Sequence, residues 1–416
     1  MKELEEIKKE AMWCLNCKLK PCSLKGCPMQ THIPEFIEEI KKDNIKEAYD
    51  ILYNNNIFSH ICSIVCPQEE QCEGSCVRGI KQTATNIGKL EKFVNDWADR
   101  NEYITKIDVK EKNGKKVAIV GSGPAGLECA KELLQEGYEV TIFEKDKIPG
   151  GILIYGIPDF RLDKNIVNKI VNTLKDLGAV FVVEKELGKD ITIKELSKDY
   201  DAVFLAIGAT ISTTYKLSEK ENKNIFKSDY FLKEYNEGRK IDNLGTTVVI
   251  GGGNVAMDSA RAAIRMGASK VKILYRRDRK HMPAREVELE EALEDGVVFK
   301  ELTRVISANE ENGKMLSVNC IKTEIIDGKA VDVNGEEFIE EANTVVFAIG
   351  LKPEKKLIEE QGIELDEWGY IKIDDYGRTN IKNVYAGGDC TESKSTVCRA
   401  LAAGKKAAEG IIKNIK

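Results

Sequence analysis

The stretch Lys116-Val-Ala-Ile-Val-Gly-Ser-Gly-Pro-Ala-Gly126 decides the fold. A β-branched run leads into Gly121-x-Gly123-x-x-Gly126, and Leu127, Ala130, Leu133 and Leu134 then recur on one helical face. Strand, tight turn and helix in that order are the context a dinucleotide fingerprint requires. The first glycine makes the turn, the second lets backbone approach a pyrophosphate, and the third lets helix and strand pack closely. Pro124 and Ala125 open the helix, whose N-terminus would face the phosphates. Eighteen residues past Gly126, the strand Val140-Thr-Ile-Phe ends in Glu144, followed by Lys145. Glu144 is the acid expected at a ribose hydroxyl. A glycine-rich turn of some other α/β domain is the alternative, and an acid in this place makes it the weaker one.

Working outward, 416 residues are enough for two or three domains. A net charge of −6 gives no electrostatic case for nucleic acid. No apolar run reaches the ~18 residues of a membrane span. The opening Met1-Lys-Glu-Leu-Glu-Glu-Ile-Lys-Lys-Glu is too charged for a secretory signal, so a cytoplasmic location is expected.

Eight of the twelve cysteines lie between Cys14 and Cys76, in a first unit of residues 1 to about 110; Cys129, Cys320, Cys390 and Cys398 are scattered. The arrays read Cys14-x2-Cys17-x4-Cys22-x4-Cys27-Pro28 and Cys62-x3-Cys66-Pro67-x4-Cys72-x3-Cys76. Apolar residues at helical spacing lie between them, at Ile33, Phe36, Ile37 and Ile40 and again at Ile45, Ala48, Tyr49 and Leu52. Zinc sites show two short pairs set apart by a longer loop. Disulfides suit an oxidising compartment. Compact four-cysteine runs, each with an internal Cys-Pro, match iron–sulfur ligation better, and eight thiolates suffice for two 4Fe–4S clusters.

Downstream of the fingerprint, Gly151-Ile-Leu153-Ile-Tyr-Gly-Ile-Pro-Asp-Phe-Arg161-Leu162 combines glycine and proline with apolar and aromatic residues. That composition suits a backbone-led surface around a flat ring better than a solvated turn. A strand near Val183 and a buried-type strand ending at Gly208 follow. A second strand–turn–helix then begins at Thr246, with Gly251-Gly252-Gly253-Asn254-Val255-Ala256. Its companion strand ends in Tyr275-Arg276-Arg277, where the first unit has Glu144. A carboxylate accepts a 2′-hydroxyl and repels a 2′-phosphate, whereas arginine forks bind phosphate. The second nucleotide is therefore predicted to be NADPH rather than NADH. A further strand runs through Ala348 to Gly350, and Gly388-Asp389 precedes a helix over about Thr396 to Ile412 that includes Val397. Asp389 suits a flavin ribityl or phosphate group, and that helix N-terminus suits the negative charge of a reduced flavin ring. His32, His60 and His281 show no ligand spacing, and no catalytic triad or Gly-Lys-Ser/Thr phosphate loop competes.

Taken together, these motifs resemble the small subunit of NADPH-dependent glutamate synthase. They are similar also to its relatives, the N-terminal half of dihydropyrimidine dehydrogenase and the large subunit of ferredoxin-dependent NADP transhydrogenase. The resemblance implies an α/β chain: an N-terminal α-helical iron–sulfur domain followed by two Rossmann-like nucleotide-binding domains. An FAD-binding domain over 115–240 plus 345–416 would be interrupted by an NADPH-binding domain over 246–345. It also implies that Cys14, Cys17, Cys22 and Cys76 hold one cluster and Cys27, Cys66 and Cys72 the other, with either Cys62 or Glu91 as the last ligand. The expected reaction passes hydride from NADPH to flavin N5, and single electrons through the clusters to a large catalytic or electron-accepting partner subunit. A subunit of a ferredoxin-linked transhydrogenase or of a pyrimidine dehydrogenase is the alternative enzyme reading. An electron-relay module with a vestigial nucleotide site is the non-enzyme one. No catalytic side chain is expected for the hydride step, which needs stacking and exclusion of water rather than a proton carrier.

Overall fold

The computed structural model describes residues 2–218 and 222–415. Five helices come first: α1 (Lys2–Met12), α2 (Ile33–Lys41), α3 (Ile45–Asn55), α4 (Ser59–Val65) and α5 (Ile87–Arg100). The apolar stripes anticipated on α2 and α3 are all buried, because each helix turns its 3.6-residue face onto its neighbour. Asn86 caps α5 by accepting from the Lys89 N–H at 3.0 Å. Between α1 and α2, Cys22–Gly26 winds as a π-helical turn, a wide turn that recurs at functional sites.

The next series is β1 (Lys116–Val120), α6 (Pro124–Gln135), β2 (Glu139–Phe143), the one-turn α7 (Ile152–Tyr155), α8 (Lys164–Asp176), β3 (Val180–Val182), α9 (Ile193–Asp199) and β4 (Ala202–Leu205). Then come β5 (Ile211–Ser212), β6 (Ile225–Lys227), α10 (Ser228–Asn236), β7 (Thr246–Ile250), α11 (Asn254–Arg265), β8 (Lys270–Leu274), α12 (Glu286–Glu294) and β9 (Val298–Lys300). The long strands β10 (Thr303–Glu311), β11 (Lys314–Ile326) and β12 (Lys329–Glu341) precede β13 (Thr344–Phe347) and β14 (Leu351–Lys352). Last are α13 (Lys355–Glu360), β15 (Val384–Ala386) and α14 (Val397–Asn414).

Two five-stranded parallel sheets, ordered β15-β4-β1-β2-β3 and β6-β13-β7-β8-β9, organise these elements. Their inner strands β4, β7 and β13 are buried at every residue, as parallel sheets covered on both faces demand. Strands β10, β11 and β12 form an antiparallel meander that the sequence reading passed over. Its two tight turns are Asn312-Gly313 and Asp327-Gly328, all four residues at positive φ, which is the two-residue hairpin signal.

The chain divides into two compact units: Met1–Leu153 with Phe160–Gly208 and Pro353–Lys416, and Ile154–Asp159 with Ala209–Lys352. The division falls at residue 208 rather than near 240, because β6 hydrogen-bonds to β13 (Ile225 opposite Val345) and draws residues 209–240 into the second unit. The helical region shares its unit with the first sheet. In that unit α14 lies directly against α6. A Cβ at Gly404 would stand 2.1 Å from the Ala125 carbonyl oxygen, so only glycine permits the approach. Among the described residues no helix is long and apolar enough to cross a membrane.

Candidate functional site

Two close approaches and one open position shape the first fingerprint. Gly121 has φ +105°, and a Cβ there would lie 2.3 Å from the Ala206 carbonyl oxygen. At Gly126 a Cβ would meet the Gly121 oxygen at 2.0 Å. Gly123 faces open space and caps α6, whose first residue is Pro124, so the helix presents its free N–H groups to an approaching anion.

Glu144 is buried at the end of β2. It accepts from the Ser122 N–H at 2.9 Å, from the Ser122 hydroxyl, and from the Asp146 N–H at 2.9 Å. A carboxylate has about four acceptor sites, so one stays open for a ribose hydroxyl. The Ser122 hydroxyl also accepts from the Gly150 N–H at 2.9 Å, joining acid, turn and loop in one network. Sequence reading assigned Ser122 no role, although its place inside the motif was the available signal. Gly151 (φ +54°) touches the turn, since a Cβ there would be 2.9 Å from the Gly123 Cα. Leu153 is fully buried, Arg161 and Val183 are half-buried, and Lys145 is exposed. Gly208 (φ +68°) has open space where a Cβ would point. At Gly388 (φ +81°) a Cβ would be 2.9 Å from that of Ala125, which brings the Gly388-Asp389 turn onto the fingerprint helix. Asp389 is only partly exposed; withdrawal from water, and then the charge of Glu392, push its carboxyl up to about 6. Val397 is the first residue of α14.

The second fingerprint repeats the turn with other partners. Gly251 has φ +149°, and a Cβ there would lie 2.2 Å from the Ala348 oxygen. Gly252 lies under the Tyr275 ring, 2.5 Å from where its Cβ would be. Gly253 caps α11, Asn254 Oδ1 accepts from the Arg285 N–H at 3.0 Å, and Val255 and Ala256 lead into the helix. The Tyr275 hydroxyl donates to the His281 carbonyl at 2.6 Å, and the Ala284 N–H to that of Gly252 at 3.0 Å. Arg276 is exposed and Arg277 half-buried, and the buried Nε of Arg277 meets no acceptor. A buried donor without a partner at this strand end fits an incoming phosphate. Gly350 (φ +113°) is exposed just past Ala348.

Among the cysteines, Cys14, Cys17, Cys22 and Cys76 line one cavity, with Ile33, Ile37 and Ile87 as apolar wall. Burial pushes Cys14 up and Cys22 up to about 11. Thiols in such surroundings become thiolates at neutral pH when a cation offsets the cost, which is the chemistry of a metal donor set. Cys62, Cys66 and Cys72 are buried and Cys27 half-buried. Beside them Glu91 is buried on α5; burial, and after it Cys27, holds its carboxyl well above the usual range. Asn56 Nδ2 donates to the Cys62 sulfur at 3.6 Å. The sulfurs of Cys62, Cys66 and Cys398 lie within 4.8 Å of one another. Cys398, one of the scattered cysteines, has no local signal that places it here.

Residues 115–407 match the pyridine nucleotide-disulphide oxidoreductase family, and residues 1–103 match dihydropyrimidine dehydrogenase domain II, 4Fe-4S cluster. The small chain of NADPH glutamate synthase from Escherichia coli (strain K12) is 32% identical over 98% of this chain and 91% of its own length. The E. coli protein AegA is 33% identical over 98% of this chain, which spans only 65% of it. Among solved structures, Mycobacterium tuberculosis FprA in complex with NADPH shares the fold, with a TM-score of 0.62 and 23% identity over 72% of this chain and 84% of that one. The chain thus belongs to the pyridine nucleotide-disulphide oxidoreductase family, among the members that, like glutamate synthase small chains, match it along nearly their whole length.

Proposed function

We propose that this chain is an NADPH-dependent oxidoreductase that takes electrons at the Gly251 site and delivers them singly to a large partner subunit in the cytoplasm. The observation that carries the reading is the convergence of Cys14, Cys17 and Cys22 from one array with Cys76 from the other on a single cavity. When bound, FAD and the 4Fe–4S clusters supply the conversion of a two-electron donor into single electrons. Gly121, Gly123 and the start of α6 hold the FAD diphosphate, Glu144 its ribose, and the Gly151 loop and the Gly388-Asp389 turn the remainder. Gly251 to Ala256 hold the NADPH diphosphate, and Arg276 and Arg277 its 2′-phosphate. Cys14, Cys17, Cys22 and Cys76 ligate one cluster.

Cys27, Cys66, Cys72 and Glu91 ligate the other. Glu91 is favoured over Cys62 because it is a carboxyl buried on α5, while the Cys62 sulfur already accepts from Asn56 Nδ2. Loss of iron and of one EPR signal is expected in Glu91→Ala and not in Cys62→Ala; the reverse pattern would reassign the ligand.

The segments carrying the first cluster's cysteines also hold exposed Trp13, Leu15, Leu19, Leu24, Val77 and Ile80. Apolar side chains at that density mark an interaction surface, here the docking face for the electron-accepting subunit. Anaerobic titration with NADPH tests the core of the reading: flavin absorbance should bleach and a cluster EPR signal appear. Protein loaded with FAD and iron that responds to neither NADPH nor NADH would sink it. Affinity purification from the native host, read by mass spectrometry, should return a large flavin- or iron-containing subunit.

A further inference from the structure

Past the end of β8, Tyr275, Arg276 and Arg277 have their three successive carbonyls held by the start of the meander and by its middle strand. The Tyr275 oxygen accepts from the Thr303 N–H at 2.9 Å, that of Arg276 from the Thr323 hydroxyl at 2.7 Å, and that of Arg277 from the Leu302 N–H at 3.0 Å. Thr323 is buried on β11, and its own N–H donates to the Leu302 carbonyl at 2.9 Å. Two irregularities meet at this point. Leu302 has φ +50°, a left-handed conformation that leucine adopts rarely and keeps only where the surroundings impose it. The pairing of β11 with β12 shifts register between Ile321 and Thr323, an irregularity of the kind that re-aims a side chain beside a working site. Farther back on β8, Lys272 donates to Glu340 of β12 at 2.8 Å and to the Glu341 carbonyl at 3.1 Å, so the meander grips the strand at a second place.

We propose that Thr323 is a positioning residue for coenzyme choice: by holding the Arg276 carbonyl it aims the Arg276 and Arg277 side chains at the 2′-phosphate and so sets the preference for NADPH over NADH. The inference rests on the assignment of those two arginines made above. A strand end held at one carbonyl can pivot, whereas bonds to three in succession fix the planar peptide units on both sides of Arg276. That fixes the direction in which both side chains leave the backbone, and a fork that meets phosphate with two N–H groups depends on direction. Supporting hydrogen bonds behind a binding residue serve this purpose generally. Thr323 acts through Arg276 and not on the nucleotide itself. A dinucleotide that lacks the 2′-phosphate makes no use of the alignment, so NADH should be indifferent to it.

The test uses the full-length protein with its cofactors and compares wild type with Thr323→Val, which keeps the shape and loses the donor, and Thr323→Ser, which keeps the donor. Two readouts are taken: steady-state kinetics with NADPH and with NADH, and calorimetric binding of 2′,5′-ADP beside 5′-AMP. One neutral hydrogen bond fewer should raise KM for NADPH and weaken 2′,5′-ADP roughly fivefold to tenfold, with kcat, KM for NADH and 5′-AMP binding nearly unchanged. Thr323→Ser should recover most of the loss. A merely structural role would weaken both nucleotides alike, and that outcome overturns the proposal, as does an unchanged NADPH-to-NADH ratio. Thr323→Ala gives the same comparison where valine is not accommodated. The Arg276→Ala/Arg277→Ala background separates the two readings. If that pair leaves the preference for NADPH intact, the arginine assignment falls; if it removes the preference while Thr323→Val does not shift it, only the present inference falls. Where both hold, Thr323→Val should add nothing once the arginines are gone.

Discussion

The two nucleotide fingerprints use the same turn for different purposes. In each, the first glycine sits at positive φ against the carbonyl that follows a neighbouring strand, Ala206 in one and Ala348 in the other. In each, that residue's N–H bonds back to the end of the central strand at 2.8 Å. They diverge in two linked pairs. Ser122 hydrogen-bonds to Glu144, whereas Gly252 lies under the ring of Tyr275, so turn residue and strand-end residue change together. The third small residue is Gly126 in one and Ala256 in the other. A turn can thus keep its backbone while exchanging an acid that accepts hydroxyls for an aromatic flanked by arginines.

The largest expected effect comes from forcing one turn to resemble the other. Gly126→Ala would place a Cβ 2.0 Å from a backbone oxygen that cannot move aside. A loss of about 3 kcal/mol by urea unfolding and of most bound FAD is expected. The reciprocal Ala256→Gly should cost about 1 kcal/mol, mostly in backbone entropy. Equal costs would show that the two helices stand equally far from their strands.

Next in size is the arginine pair. Charge-assisted bonds are worth about 1.5–3 kcal/mol each, so losing both in Arg276→Ala/Arg277→Ala should raise KM for NADPH roughly 100-fold or more and leave that for NADH nearly unchanged. Steady-state kinetics with both nucleotides decide it, and an unaltered preference would remove these arginines from the 2′-phosphate.

The smallest effect sharpens the linked pairs. Ser122→Ala leaves Glu144 with one partner fewer and the Gly150 N–H without its acceptor; a loss of about 1 kcal/mol and weaker FAD retention on dialysis are expected. The same substitution at Gly252 should act by pushing Tyr275 aside, and so weaken NADPH rather than FAD binding.

Much of this was legible in the chain because it is local. Glycine spacing specifies a turn within six residues, and the stripes on α2 and α3 specify which faces are buried. The meander was not read, although Asn312-Gly313 and Asp327-Gly328 mark its turns. Strand β12 is exposed along most of its length, so it lacks the alternation by which a strand is recognised. Residues 209–240 were misplaced because a three-residue strand, β6, decides their unit through pairing with β13, more than a hundred residues later. Cys398 and Ser122 meet partners distant in sequence, which no spacing rule reaches. At the candidate site, motif members could be named from the chain, but what holds them in place could not.

The contact of Gly404 with Ala125, and the pairing of β15 with β4, have a consequence for biosynthesis. Gly388 leaves the ribosome ~260 residues after Gly126, on the order of 10–50 s later at ordinary elongation rates. During that interval the first sheet lacks an edge strand and the covering helix, while the second nucleotide unit is completed in between. Flavin capture therefore belongs to the end of synthesis, and a truncated chain that stops before α14 should carry no flavin however well its fingerprint is formed.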